Sequence, residues 1–205
     1  MHLYRDHEVD VFTRFTGSFD AAVKNMLKTA ADQTQKCQNN YNREFQTIAN
    51  AFLQLGEALR QDNNLATTNL KNAVTCTGEA YEEIAKLVDA QPRNDWEHLS
   101  DMMYDYRGIL ADWKDILKVH MGAIEKKNEV GGMVSEGKLS QSEATEIRNR
   151  ADVVSYALLA EINTFQDSRA RDMRDSHKQF LQAQILHFKK ITEKLQNALR
   201  MFDNC

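Results

Sequence analysis

The sequence predicts an all-α protein folded as an elongated, antiparallel three-helix coiled coil. Three observations carry that expectation. One proline and eight glycines in 205 residues leave little punctuation for strands and tight turns. Apolar residues recur at helical spacing over stretches several times longer than an ordinary globular helix. Glycine is concentrated late in the chain, in Val130-Gly-Gly-Met-Val-Ser-Glu-Gly137, where one sharp reversal is expected. The length fits one domain, or at most two.

Residues 1–11 read as an N-terminal extension. From Phe12 the apolar residues follow a 3-4-4 spacing: Phe12, Phe15, Phe19, Val23, Met26, Ala30, Thr34, Cys37, Tyr41, Phe45, Ile48, Phe52. Only Thr34 is polar among them. An eleven-residue repeat covers three turns at about 3.67 residues each, which predicts one long, nearly straight helix over about 12–60. It ends in the polar stretch Arg60-Gln-Asp-Asn-Asn64. The second helix, about 66–130, opens near Ala66 with Leu70, Val74, Tyr81, Ile84 and Val88 on its stripe. Pro92 lies inside it and removes a backbone donor, so a kink is expected there. The stripe resumes at Leu99, Met102, Tyr106, Ile109, Trp113, Leu117 and Ile124. The glycine cluster then makes a tip loop of about 131–139. Ser140-x-x-Glu143 reads as a capping box opening the third helix, about 141–203. Ala144, Ile147, Ala151, Val154, Leu158, Ile162 and Phe165 mark its inner face, with Phe180, Ile191, Leu195 and Phe202 further on.

Length decides between a globule and a rod. A sixty-residue helix spans about 90 Å, whereas a compact chain of this size has a radius of gyration near ~17 Å. A thin rod covers apolar stripes poorly, and Phe12, Phe15 and Phe19 would stay exposed in a monomer. Homodimerisation is therefore expected, with Phe12, Phe15, Phe19, Val88, Phe180, Ile191, Leu195 and Phe202 at the interface.

Signs of catalysis are weak. The six histidines form no H-E-x-x-H and no pair of E-x-x-H motifs, and neither a phosphate loop nor a nucleophile motif occurs. Asp95-x-x-His98 and Asp101-x-x-x-Asp105 read as solvated pairs on helix surfaces, and His120 and His187 as core or interface histidines. No cofactor and no metal is expected. Cys37, Cys76 and Cys205 are odd in number and far apart, which reads as reduced thiols in a cytosolic protein. The start of the chain lacks the apolar run of a secretory signal, and a mean hydropathy of −0.60 with no apolar run longer than Tyr156–Ala160 excludes a spanning helix.

Charge is more informative. The net charge of −4 argues against a nucleic-acid partner, yet it averages two opposite regions. Residues 57–105 hold ten acidic and four basic side chains; residues 168–200 hold eight basic and three acidic. Arg171, Arg174 and Lys178 fall in one sector of the third helix, while Arg169 points to the core side and calls for a carboxylate partner. Lys126, Lys127 and Lys138 cluster at the hairpin tip, with Arg148 and Arg150 beyond. A solvated face is the ordinary reading of any one of them. As a set they are expected to meet an anionic membrane, each contributing roughly 1 kcal/mol.

Four blocks give a more specific resemblance: Ala80-Tyr-Glu-Glu-Ile-Ala-Lys-Leu-Val-Asp-Ala-Gln-Pro92, Gly122-Ala-Ile-Glu-Lys126, Ser155-Tyr-Ala-Leu-Leu-Ala-Glu-Ile-Asn-Thr-Phe165 and Ile191-Thr-Glu-Lys-Leu-Gln-Asn-Ala-Leu-Arg-Met-Phe202. In this order and spacing they resemble the BAR domain of the SH3–PX–BAR sorting nexins, the sorting nexin 9/18/33 branch. The resemblance covers nearly the whole chain and places the domain at 12–203. It implies a crescent-shaped homodimer that binds acidic phospholipids, senses or generates curvature and drives tubulation in endocytosis. It implies a cytoplasmic protein, peripheral on the plasma membrane and on endocytic vesicles and endosomes. In that family an SH3 domain recruits dynamin and actin-nucleation factors, and a PX domain reads phosphoinositides. Neither domain is present in this stretch, which resembles the BAR segment alone. Near Asn39-Asn40 it lacks the proline expected of vertebrate relatives, which implies a straighter first helix.

The expected function is thus a membrane-curvature module, not an enzyme. The rival is a coiled-coil adaptor that joins proteins without touching lipid. A pair of spectrin repeats would place equivalent tryptophans one repeat apart, whereas Trp96 and Trp113 are seventeen residues apart.

Overall fold

The computed structural model describes residues 2–62 and 65–203, with side chains from 7–62 and 67–203. Asn63 and Asn64 of the expected turn, and Cys205, lie outside the described residues. Within them the chain is all-α, with no strand. The helices are α1 (His2–Gln35), α2 (Asn42–Leu59), α3 (Leu65–Asn94), α4 (Trp96–Ser135) and α5 (Gln141–Phe202), with a π-helical turn, Lys36–Tyr41, between α1 and α2. The chain forms two compact units. One comprises the chain up to Met26 together with Met102–Arg174; the other comprises Leu27–Asp101 and everything from Asp175 on.

The first helical run departs from a uniform repeat. Val9, Phe12, Thr16, Phe19, Val23, Met26, Ala30 and Cys37 turn inward, a heptad spacing of threes and fours that starts before Phe12. The next inward position is Asn42, five residues on, and heptad spacing then resumes through Phe45, Ala49, Phe52 and Gly56. The five-residue step falls on the π turn, which holds more residues per turn than an α-helix. Tyr41 and Ile48, assigned inward by the 3-4-4 spacing, are therefore exposed. The run expected to be straight near Asn39-Asn40 instead carries this turn.

Pro92, itself buried, lies two residues before the end of α3. Asp95, between α3 and α4, is 1% exposed, not solvated beside His98 as the sequence suggested. Its carboxylate accepts from the backbone N–H of Trp96 (2.5 Å), from Gln91 Nε2 (3.0 Å) and from Gln184 Nε2 of α5 (2.6 Å). Proline leaves the Val88 carbonyl without its helical partner, yet α3 runs two residues past it, and the interruption falls at Asp95, whose side chain reaches α5.

The reversal after α4 is tighter than the glycine cluster suggested. Gly131 and Gly132 stay helical, and α4 ends at Ser135. Lys138 N–H bonds to Met133 O (2.9 Å) and Gly137 N–H to Val134 O (3.1 Å), with Gly137 at φ 70°. This is a Schellman stop, and only Gly137 needs to be glycine. Ser140 and Glu143 then exchange the bonds of a capping box: Ser140 N–H to Glu143 Oε2 (2.9 Å) and Glu143 N–H to Ser140 Oγ (3.3 Å).

In the first unit α1 packs antiparallel to α4. Phe12 wedges edge-on between Trp113 (4.7 Å) and Phe165 (5.6 Å), and Phe19 meets Tyr106 at 5.9 Å. The Tyr106 hydroxyl donates to Asp172 (2.7 Å); burial first, then that carboxylate, pushes the phenol far up. His120 is buried and bonded to Ser155 (3.1 Å). In the second unit Cys37, Ile84 and Val88 form the core, with Phe45, Tyr81 and Ile191 packed against it.

Gly78 fixes how closely α2 approaches α3. A Cβ there would lie 2.7 Å from Leu53 Cγ and 3.0 Å from the Ala49 carbonyl oxygen, part of the α2 backbone. Gly78→Ala gains up to about 1 kcal/mol of helix propensity, but overpacking costs about 1–3 kcal/mol. Urea unfolding should show net destabilisation. Gly108, also helical, has nothing within 4 Å of such a Cβ, so Gly108→Ala should stabilise by about 0.5–1 kcal/mol. Equal effects at both positions would refute the close approach.

Asp20, nearly buried, bonds Lys24 (2.9 Å) and Lys114 of α4 (3.1 Å), and these lysines hold its carboxyl below the ordinary aspartate range. A depressed value contributes stability above the unfolded value, lost as pH falls through the folded one. Lys114→Met should therefore cost about 1 kcal/mol at neutral pH. The cost should shrink below about pH 4. Urea titrations at several pH values test this, and a pH-independent cost would sink it.

Candidate functional site

Three kinds of side chain could meet partners: the tip cations, the cations of α5, and apolar groups left uncovered.

At the tip, three of the five expected cations already have carboxylates. Lys127 of α4 is tied to Asp152 of α5 at 2.7 Å and its side chain is only 19% exposed, so it holds two helices together. Lys138 meets Glu136 (2.6 Å) and Arg150 meets Glu146, both at the surface. Such exposed pairs are worth little and open readily to another anion. Lys126 is exposed and Arg148 half-buried. Along α5, Arg171 and Arg174 of the first unit and Lys178 of the second are all exposed.

Among the described residues Arg169 has no carboxylate partner. Its guanidinium lies 4.2 Å above the Phe15 ring, and 5.7 and 5.8 Å from Phe19 and Phe165. Being weakly hydrated and planar, it can sit on aromatic faces as a cation–π partner. This covers the phenylalanine stripe within the chain.

The expected interface set divides accordingly. Phe12 (2% exposed) and Val88 (4%) are buried by their own chain. Phe15 and Phe19 are half-buried beneath Arg169, Phe180 packs on Trp96 at 4.8 Å, and Ile191 joins the Cys37 core. Only Leu195 and Phe202 lie on an uncovered face, and they have neighbours the sequence reading missed. Leu181, Ile185, Phe188, Leu195, Leu199 and Phe202, with Thr192 among them, form one heptad stripe, each hydrophobic member 40% exposed or more. An open groove of about 530 Å³ follows its first half, along Leu181, Ile185, Phe188 and Thr192. Ile48 and Leu55, seven residues apart on α2, are exposed in the same unit. The 4-3-4-3-4-3 spacing was the available signal. It was hidden because Phe180 and Ile191, which face inward, are equally apolar.

Among the described residues no three His, Cys, Asp or Glu side chains are placed to hold a metal ion, and no helix is long and apolar enough to cross a membrane.

Comparison with known proteins resolves the identity of this arrangement. Residues 4–203 match the family described as the WASP-binding domain of Sorting nexin protein. The chain is 34% identical over 199 residues to Sorting nexin-18 of Mus musculus and 32% identical to Sorting nexin-33 of Homo sapiens, in each case over 97% of its length. Sorting nexin lst-4 of Caenorhabditis elegans is 26% identical over 198 residues, again 97% of this chain. The chain spans 32–35% of the length of those three relatives, about a third. The family matched is not a catalytic one. The chain belongs to this sorting-nexin family, as a BAR domain of the sorting nexin 9/18/33 branch.

Proposed function

We propose that this domain is the dimerising, membrane-remodelling module of an endocytic sorting nexin. The observation that carries the reading is the uncovered heptad stripe of α5. A regular row of exposed large apolar side chains is rare on a monomer and suits a second helix by knobs-into-holes packing. A second copy offers the same row by two-fold symmetry, and family membership supports that occupant.

Membrane contact follows from the same membership and from the exposed cations. Lys126, Lys138, Arg150, Arg171, Arg174 and Lys178 are the groups that would meet acidic phospholipids and phosphoinositides; Lys127 acts through its bond to Asp152 instead. The domain would then be peripheral on the plasma membrane and endocytic vesicles. Regions outside this stretch would recruit dynamin and actin-nucleation factors. The family's description as WASP-binding fits a link to actin assembly.

Two measurements test this. Phe188→Asp with Leu181→Asp should convert a dimer to a monomer in sedimentation equilibrium at micromolar concentration while helicity is kept. Phe12→Ala should lower stability by about 3–5 kcal/mol and leave the association state of the folded protein unchanged. A dimer that survives the double change would sink the assignment of the stripe. For lipid, Arg171→Glu, Arg174→Glu and Lys178→Glu together should weaken co-sedimentation with anionic vesicles more than tenfold, at roughly 1 kcal/mol per cation. A parallel Lys126→Glu, Lys138→Glu variant reports on the tip, and whichever set leaves binding unchanged drops out.

A further inference from the structure

In the first unit α1 covers one side of the α4–α5 pair, where Phe12 meets Trp113 and Phe165 and Lys114 reaches Asp20. The opposite side is uncovered. There Ile116, Val119 and His120 of α4 face Val154, Ala157 and Leu158 of α5 across an almost wholly apolar groove of about 460 Å³. His120 and Leu158 are its buried floor, while Ile116 is 43% and Val119 67% exposed. Ile109, one heptad before Ile116 and also exposed, extends the α4 wall.

The rim is acidic. Asp115 and Glu161 line the two walls, and Asp112 lies between Ile109 and Ile116 on the same flank. Among the described residues none of these three carboxylates has an ion-pair partner. Of the neighbouring cations, Lys114 turns to Asp20 and Arg150 pairs with Glu146, while the exposed Lys118 follows Asp115 by three residues and forms no ion pair among the described residues. Arg171 lies ten residues beyond Glu161.

Apolar walls under unpaired carboxylates discriminate among occupants. Anionic head groups would meet like charge at the rim, and a symmetric second copy would set the same carboxylates against each other. A helix with apolar residues at i, i+3, i+4 and i+7 and lysine or arginine on its flanks satisfies both features.

We propose that this face docks a basic amphipathic helix of a separate protein, independently of the α5 stripe and of the lipid-facing cations. The test uses the full chain and a synthetic helix of about 18 residues, leucine along one face and lysine on its flanks, with a glutamate-for-lysine twin. Fluorescence anisotropy should show micromolar binding of the lysine peptide alone, weakening with salt. Val119→Asp, at a surface position that tolerates charge, should cut affinity roughly tenfold or more. Asp115→Asn with Glu161→Gln should lower affinity and flatten the salt dependence, while Ile185→Asp in the other unit should change nothing. Absent binding, equal binding of both peptides, or indifference to Val119→Asp would overturn the proposal. So would self-association that Val119→Asp abolishes, or shielding of a dye at Val119→Cys by phosphatidylserine vesicles, since these assign the face to a second copy or to lipid.

Discussion

The second unit is organised around a buried carboxylate that, among the described residues, has no cation paired with it. Asp95 is 1% exposed, and removing an ion from water costs several kcal/mol unless its lone pairs are met. Two glutamine amides and one backbone N–H meet them, from α3, from α5 and from the first residue of α4. Gln91 also accepts, at 3.9 Å, from the Cys37 thiol, which sits in the π turn. Burial first, then Asp95, pushes that thiol up, while burial holds the His187 imidazole below its usual range against the pull of Asp95. One polar chain thus ties together both irregularities of the first two helical runs.

That coincidence has a geometric reason. Helices share a seam only while their inward positions advance in step, and α5 runs unbroken. The other two runs meet it with one break each, the five-residue step at the π turn and the interruption at Asp95. A break exposes backbone and side-chain polar groups that the continuous ladder would have satisfied. Both breaks lie where amides and a carboxylate bond one another, and no buried side-chain polar atom among the described residues lacks a partner.

This explains what was legible in the sequence. Three helical runs, the capping box at Ser140 and an interruption near Pro92 rest on local chemistry, and local chemistry is written in consecutive residues. Register is different, because a one-residue slip rotates a helix by about 100°. Thr16 and Asp20 are polar yet buried, so an apolar count passes over the true heptad and drifts to a 3-4-4 average. On α5 the difficulty is reversed, because inward Phe180 and Ile191 and outward Leu181 and Phe188 look alike. The direction of Arg169 was readable from the wheel, but two of its three aromatic partners, Phe15 and Phe19, come from α1, more than 140 residues earlier in sequence, and only the fold brings them together. The ordered blocks around Tyr81, Ala123, Leu158 and Leu195 identified the family without any of this, because they depend on identity at spaced positions rather than on register.

Charge follows a similar logic of scale. The total of −4 suggests weak repulsion from any anionic surface. Screening limits each charge to about 8 Å at physiological ionic strength, or some five residues of helix at about 1.5 Å each. Along α4 the exposed Lys126 is eleven residues from Asp115, and along α5 Arg171 is ten from Glu161. Both separations exceed the screening length about twofold. The first unit therefore does not present its average. Its exposed cations near the tip and beyond Glu161 stand apart from Asp112, Asp115 and Glu161, which flank an apolar groove and have no ion-pair partner among the described residues. Patches separated by more than the screening length act independently, so occupation of one need not weaken occupation of another.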